Sequence, residues 1–465
     1  MGKQFRNCDL NQAYLLPPSL QDWLPEGHLA RFVGEVVEAL DLSAIEATYE
    51  EGDGRGLAAY DPRMMVRLLI YGYCRGVASS RRMERATYED VAFRYLAADQ
   101  HPDHDTIAAF RQEHLVSLCG LFVQVLRLCQ KAGLVKLGHV ALDGTKVKAN
   151  ASKHKAMSYE RMGEAEKQLE AEVEALLAEA VRVDAEEDGK YGKGKGGDEL
   201  PAELARRESR LRKIRDAKAA LEQEAREAAE KKQAEVEAQL TEREKQEQAR
   251  GWKFGGRVPQ APDPAQAKPE PKAQRNFTDP DSRIMKDGAT KEFVQAYNVQ
   301  VAVDSHAQVI VGAAVTQQAN DKEQLVPMLE QVKVLTGSPP QQATADAGYF
   351  SEPNVTDPKL QGIDLLVAPD RQKHGEKRPC TTGPPPPEAS VAEQMRHKLQ
   401  TVEGQAVYRL RKAVVEPVFG QIKEQRGFRR FLLRGLAKVQ AEWKMICATH
   451  NLLKLFRSGW SSQSA

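Results

Sequence analysis

The segment Phe293-Val-Gln-Ala-Tyr-Asn-Val-Gln-Val-Ala-Val-Asp304 alternates with the period of two that marks a β-strand. A tight turn at His306 follows, and Gln308-Val-Ile-Val-Gly-Ala-Ala-Val-Thr316 completes a hairpin. Upstream, His139-Val-Ala-Leu-Asp-Gly-Thr145 reads as a short apolar strand whose C-terminal end carries Asp143 and then a glycine. Downstream, Gln342-Ala-Thr-Ala-Asp-Ala-Gly-Tyr349 is a second strand ending in an aspartate, Asp346. Between them Asn320-Asp321 is expected to cap an amphipathic helix through Leu325, Met328, Leu329, Val332 and Leu335. A helix from about Ser351 and the strand Ile363-Asp-Leu-Leu-Val-Ala-Pro369 complete the alternation. Active sites of open α/β sheets gather at strand C-termini. That rule singles out Asp143 and Asp346, although each also fits a plain turn aspartate.

Residues 407–434 close the series. Val414, Val415, Val418, Phe419 and Ile422 recur at helical spacing and give one apolar face. Glu416 lies among them, flanked by Arg409, Arg411, Lys412 and Lys423. Lys423 stands about two turns after Glu416, so the two project from roughly the same side. Pro417 cannot donate a mid-helix bond, which predicts a helix start or kink near Glu416. A carboxylate ringed by cations suits a metal held beside a phosphate. Taken alone, the segment also fits a solvated helix laced with salt bridges. The last helix, Leu436 to Phe456, packs through Val439, Trp443, Ile446, Leu452, Leu453 and Leu455, and a polar tail spans 458–465.

At 465 residues the chain has room for two or three domains, and 41% hydrophobic with 29% charged residues indicates globular folding. The net charge of +1 hides a division: 156–250 leans acidic and 409–457 is strongly basic. A basic face on a near-neutral chain can still bind a phosphate backbone. The six cysteines form no Cys-x-x-Cys pair, which removes zinc-ribbon and thioredoxin readings. Cys74, Cys119 and Cys129 lie in apolar stretches and are expected in the core. With no apolar leader and no span-length apolar run, a reducing cytoplasm is the expected compartment.

Residues 1–135 are expected to form an all-α domain. Leu15-Leu16-Pro17-Pro18-Ser19 is a stiff entry, His28 to Leu40 a helix, and Glu50 to Gly56 a loop. Pro62 starts a buried helix ending near Gly76, Ser79 or Ser80 caps one carrying Arg81, Arg82 and Arg85, Asp90 starts another, and Asp105-Thr106 caps a further one. A long apolar helix then runs from Leu115 to Leu128. This series fits a helix-turn-helix DNA reader and equally a plain helical bundle. Residues 156–275 interrupt the strands. Met162, Leu169, Leu176 and Val183 repeat every seven residues, a linker spans 189–197, and a second charged helix runs to about Arg250. An antiparallel helical hairpin is the simplest structure, with 251–275 disordered.

Without the insertion the order is strand, strand, strand, helix, strand, helix, strand, helix. This is the order of an RNase H-like domain, a mixed five-stranded sheet with flanking helices, spanning 136–155 and 276–457. Three carboxylates without cysteine or histidine suit Mg²⁺ or Mn²⁺. The segments Leu-Asp143-Gly-Thr-Lys-Val-Lys-Ala-Asn-Ala-Ser, Ala-Asp346-Ala-Gly-Tyr-Phe-Ser and Val-Glu416-Pro-Val-Phe-Gly-Gln-Ile-Lys resemble the three acidic motifs of bacterial insertion-sequence DDE transposases. Thr278-Asp-Pro-Asp-Ser-Arg283-Ile-Met-Lys, the Tyr297–Asp304 stretch and Pro102-Asp-His-Asp-Thr-Ile-Ala-Ala-Phe-Arg111 resemble them as well. The likeness covers most of the chain outside 156–275.

The resemblance implies that Asp143 bridges two divalent cations, with Asp346 holding one and Glu416 the other. It implies that Lys423 contacts DNA phosphate near the scissile bond, with Arg411, Lys412, Arg426, Arg429 and Arg430 as further DNA contacts. Family members often place tyrosine and arginine seven and four residues before the glutamate. Here Arg409 and Lys412 hold those positions, and Tyr408 and Arg411 lie one residue earlier. The implied partners are double-stranded DNA, as element ends and target, and a second copy of the chain in a homodimer or larger complex. The implied setting is cytoplasmic and nucleoid-associated, with no membrane. The competing readings are a nuclease of the same fold without strand transfer and an inactive DNA-binding protein.

Overall fold

The computed structural model describes residues 19–50, 58–191, 202–252, 254–255, 258–288, 290–371 and 380–460. Outside them lie 15–18 of the expected entry, 51–56 of the expected loop, 192–197 of the linker and 461–465 of the tail. In chain order the main elements are helices α1 (Leu29–Ala39), α2 (Ser43–Glu50), α3 (Pro62–Arg75), α4 (Ser80–Glu89), α5 (Val91–Leu96), α6 (His104–Glu113) and α7 (Leu115–Lys131). Then come β1 (His139–Lys148), β2 (Ala156–Ser158), α8 (Tyr159–Tyr191), α9 (Ala202–Arg250), β3 (Gln274–Asn276), β4 (Arg283–Lys286), β5 (Phe293–Asp304) and β6 (Ile310–Thr316). The chain ends with α10 (Leu325–Thr336), β7 (Gln342–Ala345), α11 (Glu352–Val355), β8 (Asp364–Val367), α12 (Val391–Gln400), α13 (Val402–Gly420) and α14 (Leu436–Arg457). Two compact units result, one from the residues up to Lys148 with those from Tyr297 onward, the other from Ala149–Ala296.

The first unit holds a mixed sheet in the order β6-β5-β1-β7-β8. β5 and β6 are antiparallel, and β7 runs parallel to both β1 and β8. The alternating stretch at 293–304 becomes the long strand β5, whose Val299, Val301 and Val303 are buried along with Asn298 and Gln300. Helix α14 is buried through Val439, Trp443, Ile446, Cys447 and Leu455. Its Asn451 amide pairs with both backbone groups of Ile310 at 2.8 Å, so a helix side chain completes the edge strand β6.

The N-terminal helices belong to this unit. α3 begins with Asp61 accepting the Met64 N–H at 2.9 Å and Pro62 in the first turn, and it stops at Gly76 with φ 73°. The cap is worth about 1 kcal/mol. Phe32 packs on Phe456 at 5.2 Å between ring centroids, and Tyr73 stacks on Phe428 at 5.5 Å. α6 starts one turn-position earlier than expected, because Asp103 rather than Asp105 accepts the Thr106 N–H, at 2.6 Å.

Three further expectations change here. β1 continues to Lys148, so Asp143 lies within the strand and not at its end. α10 begins at Leu325 after Gln324, and Asp321 is not its cap. α13 runs unbroken through Pro417 and passes into a π-helical turn at Gln421–Gln425. The carbonyl that Pro417 cannot serve is that of Ala413, and the Gln308 side-chain amide donates to it at 3.2 Å. The helix therefore neither starts nor breaks at Glu416.

In the second unit α8 and α9 pair antiparallel. Glu166 meets Arg215 and Lys218 at 3.2 and 2.8 Å, and Glu172 meets Arg207 at 3.0 Å. Met162, Leu169, Leu211, Ile214, Ala217 and Leu221 form their shared core. The described part of 251–275 is ordered in place of the expected disorder. Asp263 caps a short turn at Pro264–Gln266, and β3 pairs antiparallel with β2 to close the base of the hairpin. β4 pairs antiparallel with Phe293–Ala296.

Candidate active site

The backbone register builds the site. His139 pairs with Gln342 and Ala141 with Thr344 across the parallel strands β1 and β7. Carried on by one more pleat, the same register sets Asp143 against Asp346. β7 ends at Ala345, so Asp346 stands just past its end, near enough for its charge to act on Asp143 within β1. Up to Leu142 the β1 side chains are buried, and from Asp143 to Lys146 they are partly exposed. Each aspartate accepts an N–H from its own motif glycine: Gly144 to Asp143 Oδ1 at 2.9 Å, Gly348 to Asp346 Oδ1 at 2.8 Å.

Burial pushes the Asp143 carboxyl up to about 6, with Asp346 and Asp321 adding to the rise and Arg411 opposing it. Arg411 Nη1 lies 3.6 Å from Asp143 Oδ2, and its guanidinium covers the Tyr408 ring at 5.6 Å. Lys146 Nζ stands 4.0 Å from Asp321 Oδ1. Burial lowers the Lys146 ammonium while Asp321, Asp346 and Asp143 hold it up. Asp143, Asp346 and Asp321 are hard oxygen donors of the kind that divalent cations take.

Helix α13 lies on β1 and β7 and is fixed at two points. Arg411 reaches Asp143, and Lys423, in the π-helical turn, donates to Thr145 Oγ1 at 2.6 Å and to the Lys146 carbonyl at 2.8 Å. π-helical turns recur at functional sites. Glu416 lies on the run between those points, with an exposed side chain. The structure thus brings Asp143 and Asp346 together and leaves the Glu416 carboxylate facing solvent. Among the described residues no group of three His, Cys, Asp or Glu side chains is placed to hold a metal ion.

The basic residues divide. Lys412, Arg429 and Arg430 are exposed, Arg429 paired with Glu424. Arg411 is buried against the carboxylates. Arg426, expected as a DNA contact, is corrected by its burial: its guanidinium donates to Thr449 Oγ1 at 2.9 Å and to the Ile446 carbonyl at 3.3 Å. Burial lowers its pKa to about 10. Asp321, Gln300 and Tyr349 were not singled out from the sequence. The available signal was Asn298 and Gln300, two polar residues one pleat apart in an otherwise apolar strand.

Residues 18–113 match the family model of a transposase domain (DUF772), and residues 371–456 match that of a transposase DDE domain. No significant match to a curated protein or to a solved structure is found. No helix among the described residues is long and apolar enough to cross a membrane.

Proposed function

We propose that this chain, whose residues 18–113 and 371–456 match transposase-domain family models, is a metal-dependent insertion-sequence DDE transposase that binds the terminal inverted repeats of its element, cleaves the DNA there and joins the freed 3′-hydroxyls to target DNA. The observation that supports this reading is the parallel register of β1 on β7, which runs toward Asp143 and Asp346 beneath the helix that carries Glu416. The strand order β6-β5-β1-β7-β8 supports an RNase H-like catalytic domain.

Asp143, Asp346 and Glu416 would be the residues that hold the divalent cations, Mg²⁺ or Mn²⁺. When bound, such ions would supply Lewis acidity for attack by water or a 3′-hydroxyl and for departure of the leaving oxygen. The protein's own part is to place these carboxylates and to shape the approach of the DNA. Lys423, held on β1 by Thr145, presents a cation beside the scissile phosphate. Arg411 balances the carboxylate charge from within, and exposed Lys412, Arg429 and Arg430 bind flanking phosphates. Because two ends must be paired, the DNA complex is a homodimer or larger.

The test supplies precleaved element ends, target DNA and Mg²⁺. Joined product is the expected result. Hydrolysis without joining would favour a nuclease instead, and full strand cleavage by Asp143→Asn would sink the metal-site reading.

A further inference from the structure

We propose that Asp321 is a positioning residue that holds β1 at Asp143 and the turn after Asp346 at a fixed separation. The inference rests on the metal-dependent reading above and deepens it. Asp321 lies between β6 and α10, where an acidic residue ahead of a helix ordinarily caps it. Here the helix starts after Gln324 with no side-chain cap bond. The Asp321 carboxylate turns back onto the sheet. Its Oδ1 accepts from Asn298 Nδ2 and from Gln300 Nε2, both at 2.6 Å, and both donors are fully buried on β5.

The chain of contacts continues on the other side. The Tyr349 hydroxyl donates to Gln300 Oε1, and Tyr349 follows directly on the Asp346-Ala-Gly turn. One network therefore joins β5, the loop before α10 and the turn after β7. Lys146, three residues beyond Asp143 on β1, supplies the nearest cation to Asp321.

Of the two motif glycines, Gly144 is explained by Asp321 and its partner Gln300. Neither Gly144 nor Gly348 has a positive φ, so backbone conformation does not require glycine at either place. Space does. A Cβ on Gly144 would stand 2.4 Å from Gln300 Nε2 and 2.7 Å from Asp321 Oδ1. A Cβ on Gly348 would stand 2.9 Å from Asp346 Oδ1 and 3.5 Å from Asp321 Oδ2. Asp321 and Gln300 thus leave no room for a Cβ at Gly144, while the crowding at Gly348 comes from Asp346 itself. With the Asp321 acceptor removed, the Gln300 amide loses its bond to Asp321, while Asn298 Nδ2 keeps the Gln318 carbonyl at 3.1 Å.

The experiment measures Mn²⁺ binding to the full-length protein by calorimetry, alongside the Mg²⁺ dependence of end cleavage and the melting temperature. Asp321→Ala is expected to weaken Mn²⁺ binding by about 10–100-fold, and to raise the Mg²⁺ needed for cleavage by a similar factor. Asp321→Asn keeps an acceptor oxygen and is expected to stay close to wild type. Equal loss in both variants would overturn the proposal, because the charge itself would then be needed. No loss in either would overturn it too. If Asp321→Ala fails to fold, Tyr349→Phe decides: it keeps the ring, loses the hydroxyl contact to Gln300, and is expected to weaken Mn²⁺ binding by a smaller factor. Unchanged binding in that variant would overturn the proposal. A wild-type protein that binds no Mn²⁺ overturns the proposed function and this inference together. A binding wild type matched by Asp321→Ala overturns this inference alone.

Discussion

The strand ends and the helix that faces them place their carboxylates by different means. Asp143 and Asp346 are set by the register of β1 on β7, in which every backbone bond of the ladder fixes the same offset. Glu416 is set by the phase of α13, and that phase depends on Pro417, a π-helical turn and the hydrogen bonds that accommodate them. A sheet register resists small changes, because a one-residue slip would turn every side chain to the other face. A helix phase can shift by a fraction of a turn. On the proposed reading, the strand carboxylates would be held by the sheet, and the helix would be the part free to adjust.

This contrast is open to attack at several points. The largest effect is expected at the strand pair. Asp143→Asn should cut end cleavage by about 4 kcal/mol, on the order of a thousandfold, in a Mg²⁺ assay, with DNA binding in EDTA unchanged. A loss of binding in step with cleavage would move Asp143 out of the chemistry.

The next effect concerns the joint between the two regions. Gln308 donates through its side chain to Ala413 on α13, and its carbonyl faces His450 Nε2 at 3.0 Å. Burial lowers the His450 pKa to about 3. Its folded value lies below the unfolded value of about 6.5, so the unfolded chain takes up the proton first. The contribution is fully present above about pH 6.5, and falls by about 1.4 kcal/mol per pH unit as the pH drops toward the folded value. Chemical denaturation between pH 7 and 5 should show that loss, and His450→Gln should flatten it. An unchanged slope would assign the acid sensitivity elsewhere.

Smaller effects test the helix. Lys423→Met removes the tether to Thr145 and the Lys146 carbonyl, and should slow cleavage about tenfold, or 1.4 kcal/mol, with little change in melting temperature. Gln308→Leu should cost about 1 kcal/mol of stability by leaving the Ala413 carbonyl to solvent. A neutral result there would mean that α13 tolerates Pro417 without help.

What the sequence made legible follows the same division. Alternation at 293–304 and the two strand-then-aspartate segments were enough to find the strands β1, β5 and β7, because strand period is local and repetitive. The interior of the site was not legible. Asp321 reads as an ordinary cap before a helix, and only the β5 amides turn it inward. Arg426 sits in a basic run and reads as a surface residue, yet Thr449 and the Ile446 carbonyl, twenty and more positions on, draw it into the core. Pro417 predicted a break that a side chain from a distant hairpin repairs. Each miss is a tertiary partner overriding a local rule.

The most direct test is Mg²⁺-dependent cleavage of a supercoiled plasmid carrying the element's own ends, with wild type beside Glu416→Gln. Cleavage at the ends by wild type, lost on chelation and lost in the variant, is the predicted result. It would place the exposed helix carboxylate in the same reaction as the strand pair. Equal cleavage by both proteins would contradict the account, because Glu416 would then have no part in the site.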